Sequence, residues 1–333
     1  MKNKIVSKGL IIGIIFLILG GETVFGINNE LKNSTITDVN TFYVGGDGPG
    51  NYTIIQDAID DASDGERVFV YDDSSPYYEN IIINKSIFLT GENKDTTVID
   101  SNGTGDVIHV NSDWINIKGF TIRNGGSEYP YAGLYISSNY GMISSNNIEN
   151  NFFGIFMFSS DKLYIFKNNI TNNLHSGVYL KESPNNYIST NFISNHPKNG
   201  IALCNSSNDM TVFNNTILKN KYSGILISNS CNNFINYNTI SKNIIGAVVE
   251  YSTSNEFLKN NFIKNVFLEA YQVGSGFFKN RNIWKGNYWN RPRVLPKLIY
   301  GRTGLNFIGI PWINLDFIPA FKPNEYMGAK LHI

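Results

Sequence analysis

Apolar residues recur along this chain in short alternating runs separated by polar turns. In GVYLKESPNNYISTNFISNHPKN (177–199) the runs are Val178/Leu180, Tyr187/Ile188 and Phe192/Ile193. Alternation over four or five residues predicts strands, because side chains in a strand point to opposite faces with period two. No unit holds ten residues at helical spacing, so a helix-plus-strand repeat is disfavoured. Asn, Ser and Gly fill the intervals, and these residues turn a chain cheaply by tolerating left-handed conformations.

The same pattern returns in 199–221 and again in 222–243. Its register marks are Gly133, Gly154, Gly177, Gly200, Gly224 and Gly246, with Glu269 in the same slot, at spacings of 21, 23, 23, 24, 22 and 23 residues. A fixed short period with three strands per unit predicts a parallel β-helix in which each coil pairs with the next. Two polar columns follow from the register: Asn146, Asn168, Asn191, Asn215, Asn238 and Asn261, and Ser160, Ser183, Ser206, Ser230 and Ser252. Both read as internal ladders at the turns, since stacked identical amides hydrogen-bond along an axis.

Outside the repeat the chain changes character. Lys2, Lys4 and Lys8 precede LIIGIIFLILGG (10–21), and Val24-Phe25-Gly26 offers a cleavage site, so residues 1–26 read as a secretory signal peptide. The apolar run is short for a membrane span; an uncleaved N-terminal anchor is the alternative, and the only expected membrane contact. Residues 27–66 then form an N-terminal segment, in which Tyr52 to Ala62 reads as an amphipathic helix with Ile54, Ile55, Ala58, Ile59 and Ala62 on one side. That helix is the expected cap, because a solenoid end exposes unpaired backbone. The β-helix is expected over 67–290. Residues 291–333 break the period with prolines at 292, 296, 311, 319 and 323 and many apolar residues, and are expected to pack as a C-terminal cap or along one face.

Lysine plus arginine balances aspartate plus glutamate at 27 each, which argues against a nucleic-acid partner. Cys204 and Cys231 hold different repeat positions, so they read as two small buried thiols rather than a bridge.

The opening DGPGNYTIIQDAIDDASDGERVFVYDDSSPYYENIIINKSIFLTGENKDTTVID resembles that of right-handed parallel β-helix proteins of the pectin-lyase-like superfamily. The similarity is to the NosD-type, carbohydrate-binding and sugar-hydrolase branch. It rests on the Gly-Asp-Gly start, Ile55 to Ile59, Tyr77 to Ile81, Leu89-Thr90-Gly91-Glu92, the later Gly-Ile-x-Leu…Asn-x-Ile coils and Asn-Tyr-Trp-Asn at 287–290. The resemblance implies a single all-β, right-handed parallel β-helix. About eight or nine coils of three strands are expected, with an N-terminal helical cap and a packed C-terminal segment. It implies an extracytoplasmic protein (secreted, periplasmic or at the cell surface). For activity it is open, because relatives include enzymes, binding proteins and accessory proteins.

Catalytic signatures of the branch are missing. The Asp and Gln motifs of pectin methylesterases, the Asn-Thr-Asp and Gly-His-Gly of polygalacturonases and the Asp-Pro-His of alginate epimerases do not occur. The acids of the repeats fall at different positions relative to their own Gly, so no two in adjacent coils coincide on the first strand. Arg123, Glu128 and His109, near the insertion GGSEYP (125–130), are the alternative enzymatic constellation. NosD-type proteins are often described as copper-binding, but the four histidines and five methionines show no paired spacing, so neither metal nor cofactor is expected. His175 and His196 read as surface turn residues.

One feature exceeds scaffolding. Two residues after each Gly, facing outward, the coils present His109, Tyr135, Phe156, Tyr179, Ala202, Leu226, Val248 and Tyr271; two residues before it stand Tyr131, Phe152, His175, Lys198, Tyr222, Ile244 and Phe267. A contiguous apolar-aromatic stripe on a solenoid means contact with something. Tyr135, Phe156, Tyr179, Tyr131, Phe152 and His109 are therefore the expected binding residues, for a polysaccharide or cell-surface glycan stacked on the rings. Coverage of the stripe by Trp312, Phe317 or Phe321 is the competing expectation. A non-catalytic carbohydrate- or surface-binding protein is the leading reading. A polysaccharide-modifying enzyme, or an accessory protein docking a partner protein or copper centre, are the alternatives.

Overall fold

Each repeat folds into one turn of a right-handed parallel β-helix, in a computed structural model that describes residues 40–274, 281–303 and 310–326. The segment read as a signal peptide lies outside these residues. Residues 39–324 form one compact unit. Its turns present three parallel sheets. The first runs from Ile81–Ile83 to Lys297–Thr303, the second from Thr41–Val44 to Ile310–Asp316, and the third from Val98–Asp100 to Tyr288–Trp289. The period-two pattern explains the core. Val178, Ile188 and Ile193 point inward, fully buried, and pair with Ile201, Val212 and Ile217 of the next coil. About eleven turns are present rather than eight or nine, because coils before Gly133 and after Glu269 lack the Gly mark.

In the central coils the Gly slot is a steric requirement. A Cβ on Gly200 would sit 2.4 Å from Ile217 Cγ2 and 2.7 Å from the Gly224 carbonyl oxygen. Single left-handed residues make the corners, as at Thr190 (φ 57°) and Asn195 (φ 64°).

Beside these corners run buried ladders. Asn168 Nδ2 donates to Asn191 Oδ1 (3.1 Å) and to the Ile143 carbonyl (2.9 Å), while the Asn168 backbone N–H donates to the same Asn191 Oδ1 (3.0 Å). Every polar atom of the amide is thereby satisfied without water, as burial demands. The column is Asn146, Asn168, Asn191, Asn215, Asn238, Asn260 and Asn287. The expected Asn261 is displaced by one, because Phe262 takes the inward place of Ile240. The serine column likewise runs through Ser207, not Ser206: that coil is one residue longer, and Ser206 is consumed in a left-handed turn (φ 67°).

A second amide column follows the third sheet: Asn151, Asn173, His196, Asn220, Asn243 and Asn265. His196 is therefore no surface residue. It is fully buried; Nδ1 accepts from the Asn173 backbone N–H (3.2 Å) and Nε2 faces the Ile170 carbonyl (3.2 Å). Burial pushes its pKa down to about 4.

Both ends are closed by charge as well as packing. The N-terminal helix spans Ile55–Asp61, shorter than the pattern suggested, with Ile54 exposed at its N-cap and Ile55, Ala58 and Ile59 buried. Ile54 offers no capping oxygen, and the Glu79 carboxylate accepts from the backbone N–H groups of Ile55 (2.8 Å) and Gln56 (3.0 Å) instead. Lys85 Nζ donates to carbonyls at the other helix end, Ile59 (3.2 Å) and Ala62 (2.7 Å). The Gln56 amide covers the open strand edge, bonding the Ile82 N–H and C=O.

At the far end the strands Lys297–Thr303 and Ile310–Asp316 form an antiparallel hairpin. It continues the first sheet and ends against Trp284 of the second. Asp316, fully buried, terminates the first amide ladder. It accepts from Asn287 Nδ2 (3.1 Å), the Asn287 N–H (3.0 Å) and Trp289 Nε1 (3.0 Å).

Candidate functional site

The outward column of the first sheet is in register from Ile82 through His109, Tyr135, Phe156, Tyr179, Ala202, Leu226, Val248 and Tyr271 to Tyr300. Rungs of a sheet lie about 4.8 Å apart, so neighbouring rings meet face to face. His109 lies on Tyr135 (4.6 Å, 7°), Tyr135 on Phe156 (5.2 Å, 29°) and Phe156 on Tyr179 (5.6 Å, 5°).

This stacking has a consequence for ligands: inside the ladder each ring face is already covered by the next ring. Phe156 retains 2% of its surface, so the expectation that it contacts a ligand is corrected. Tyr135 and Tyr179 are half-buried, Phe152 packs edge-on against Phe153 (4.9 Å), and Tyr131 stays exposed at the rim. The cover over Phe156 comes from the chain's own insertion, since Tyr129 sets its ring edge-on against Phe156 (5.9 Å) and Phe153 (6.0 Å). The C-terminal segment does not supply it among the described side chains. Phe317 and Phe321 are exposed, and the side chain of Trp312 lies outside the described residues.

Phe153 was not among the expected residues. It is buried at the centre of the cluster, touching Phe156, Tyr179 and His175. It stands immediately before Gly154, where other coils carry Ala132 or Ser176, a column the period-two pattern passes over.

Beyond Tyr179 the ladder is interrupted. Ala202 contributes only a methyl group, which is fully buried, and a cleft of about 390 Å³ opens beside Tyr179. Tyr179 bounds one end and Leu226 with Tyr222 the other. His175, Lys198 and Asn199 form one flank, Cys204, Asn205 and Ser228 the opposite one. Burial lowers the His175 pKa, with Lys198 adding to the effect. Burial also pushes the Cys204 thiol up to about 11 and raises the Tyr179 phenol, so at neutral pH these groups are uncharged. The positive charge of the cleft comes from Lys198. Cys204 and Cys231 are both free thiols; Cys204 faces the cleft rather than the core.

The enzymatic constellation expected around the insertion is not assembled. Arg123 lies on the third sheet and pairs with Asp100 (2.8 Å). His109 lies on the first and pairs through Nδ1 with Asp106 (2.8 Å), which raises its pKa. Glu128 is exposed on the loop between them.

Arrangement and comparison together define a class. The chain is a right-handed parallel β-helix protein of the pectin-lyase-like superfamily. Residues 59–294 match the family model described as "Periplasmic copper-binding protein (NosD)", and the chain belongs to that family. No curated protein matches it. Among solved structures it is similar to the mannuronan C-5 epimerase AlgE6 A-module of Azotobacter vinelandii, with 14% identity over 75% of this chain and 82% of that one, TM-score 0.56. It is similar also to the Dettilon tailspike protein (13%, 75% and 62%, TM-score 0.55) and to the periplasmic alginate epimerase AlgG (15%, 72% and 61%, TM-score 0.50). At these identities the likeness is one of fold.

Among the described residues the donors do not fit the copper of the family's description. Among the described residues no three His, Cys, Asp or Glu side chains converge. Both ring nitrogens of His109 and of His196 are already bonded, and Met157 and Met210 are buried. His175 and Cys204 share the cleft, but two donors fall short of the clusters copper sites use.

Proposed function

We propose that the protein is exported and binds glycans without cleaving them, taking a polysaccharide or cell-surface glycan along the outer face of its first sheet. The observation that carries this is the cleft beside Tyr179, whose flanks are polar and which lies along the outward apolar column running in register from His109 to Tyr300. A ring beside polar groups suits a sugar, which presents C–H faces and hydroxyl edges. The family's periplasmic description and the lysine-then-apolar N-terminus support an extracytoplasmic place.

The test is a glycan array probed with the exported protein, followed by calorimetry on the strongest hits and by reducing-end and uronate-isomer assays on the same polysaccharides. Saturable binding with no change in the polysaccharide is expected. Absence of any retained glycan overturns the reading. Release of reducing ends, or isomerised residues, replaces it with the enzymatic one.

A further inference from the structure

A ring takes a sugar only on an open face, and inside the ladder of the first sheet the neighbouring rings cover those faces. A second, shorter column of rings stands at the corner that leads into the second sheet. Trp114 lies flat on Tyr140 (4.4 Å, 7°). On the following coil Lys162 Nζ closes the other face of Tyr140, 5.0 Å from the ring centre. Trp114 nevertheless remains 44% exposed. With one face of the indole covered, exposure on that scale requires the other face to be open.

The coils in front of Trp114 leave that face clear. Phe88 pairs with Asn116 and Arg67 with Phe88, so the corners preceding Trp114 are Ser86 and then Gly65. Ser86 is small, and its hydroxyl donates to the Asp113 carbonyl (2.7 Å). A Cβ on Gly65 would meet nothing within 4 Å. Carboxylates stand beside these corners: Asp64 Oδ1 accepts the Ser86 N–H (2.8 Å) and Asp113 Oδ1 the Asn139 N–H (2.7 Å). An ionised carboxylate has further lone pairs for hydroxyl donors. The tryptophan is also a costly choice for its backbone. It holds φ 63°, where bulky side chains are rare, at a corner that later coils fill with Lys162, Asn185, Asp209 and Asn232. Strain kept at one bulky side chain points to a use for that side chain.

We propose that the open indole face of Trp114 is a second sugar site. One uncharged pyranose lies with its C–H face on the ring, over the corners at Ser86 and Gly65, and its hydroxyls donate to Asp64 and Asp113. The same two carboxylates repel a uronate. The site stands apart from the cleft beside Tyr179 and does not depend on it. A single ring face binds with a Kd on the order of millimolar, too weakly to hold a glycan on an array, so it is read in solution.

Fluorotryptophan incorporated in the chain gives one fluorine resonance for each of its four tryptophans. The resonance missing from Trp114→Asn, which suits a left-handed corner, is that of Trp114. Titration with hexasaccharides of cellulose and mannan is expected to move this resonance saturably, while those of the buried Trp284 and Trp289 stay in place. A mannuronate hexasaccharide should need a concentration higher by about tenfold or more. Asp64→Asn combined with Asp113→Asn keeps an acceptor for each backbone N–H and removes the charge. It is expected to bring the uronate within about threefold of the mannan. A Trp114 resonance that neither neutral hexasaccharide moves overturns the site, whereas glycan retention through the cleft is decided separately by the array. A uronate that moves it as readily as mannan does overturns the assignment of an uncharged sugar. An unchanged preference in the double variant overturns the role of the two carboxylates.

Discussion

A buried histidine inside an asparagine ladder is the most informative single residue. His196 must stay neutral to accept the Asn173 N–H, and its pKa is about 4 against an ordinary value of 6.5. Above pH 6.5 neither folded nor unfolded chain is protonated there, and no cost arises. As pH falls from 6.5 towards 4 the unfolded chain takes up a proton that the folded chain refuses. Stability then drops by about 1.4 kcal/mol per pH unit, roughly 3 kcal/mol across the window. His196→Asn restores the ladder amide and removes the titration. Urea unfolding should show the variant close to wild type at pH 8 and more stable by about 2 kcal/mol at pH 5. His109, whose pKa is raised, contributes in the opposite sense, with stability lost as pH rises through its folded value; it is common to both proteins and cancels. Equal pH dependence in the two proteins would remove His196 from the ladder. The core makes a blunter prediction: Ile217→Asp buries an unpaired carboxylate between Ile193 and Ile240 and should cost several kcal/mol, read as a large fall in melting temperature. Ile217 was legible from periodicity alone. His196 was not, because a histidine in an asparagine column looks like a break until the column is seen in three dimensions.

At the scale of elements, the ends of the solenoid decide where it frays. Asp316 receives Asn287 Nδ2, the Asn287 N–H and Trp289 Nε1, all on the last coil. Asp316→Ala leaves the Asn287 N–H and Trp289 Nε1 without their acceptor and Asn287 Nδ2 with only the Phe257 carbonyl, each lost partner costing about 1–3 kcal/mol. Coils contact only their neighbours, so the loss should stay local. Hydrogen exchange at Gly286–Trp289 should rise by one to two orders of magnitude, while the amides of Ile188 and Ile193 keep their protection. Uniform loss of protection along the chain would show that the solenoid opens as one unit. Neither end device is visible in a linear reading. Glu79 caps a helix more than 20 residues before it, and Asp316 ends a ladder whose last amide stands 29 residues earlier, across a stretch that breaks the period. The repeat makes the interior readable, and the caps are aperiodic by their nature. The same division runs through the site. The column from His109 to Tyr179 follows from register. The cover by Tyr129 depends on how an insertion folds back, and the cleft beside Tyr179 on which side chains neighbouring coils turn toward it.

For the whole molecule, interchangeability of coils is the strongest statement the ladders make, and it can be tested by removing one. Deleting residues 200–223 takes out a single coil of 24 residues and joins Asn199 to Gly224 as it was joined to Gly200. Every column then closes in register. Asn191 meets Asn238, His196 meets Asn243, Ser183 meets Ser230, and Ile193 stacks on Ile240, each the next-but-one member of its ladder. The shortened protein should keep its β-sheet circular dichroism and a cooperative melt within a few degrees of the wild type. Deleting 200–211 removes half a coil, places polar turn residues against the core and breaks all the ladders, so that protein should not fold. The full-coil deletion also removes Cys204, Asn205 and Tyr222 from the cleft lining and brings Tyr179 directly against Leu226, while sparing every ring of the aromatic ladder. It should therefore remain folded and lose glycan retention. A folded deletion protein with undiminished retention would place binding on the ladder's outer edges instead, and an unfolded one would mean that the coil from Gly200 to Ser223 holds the solenoid together in a way its neighbours do not.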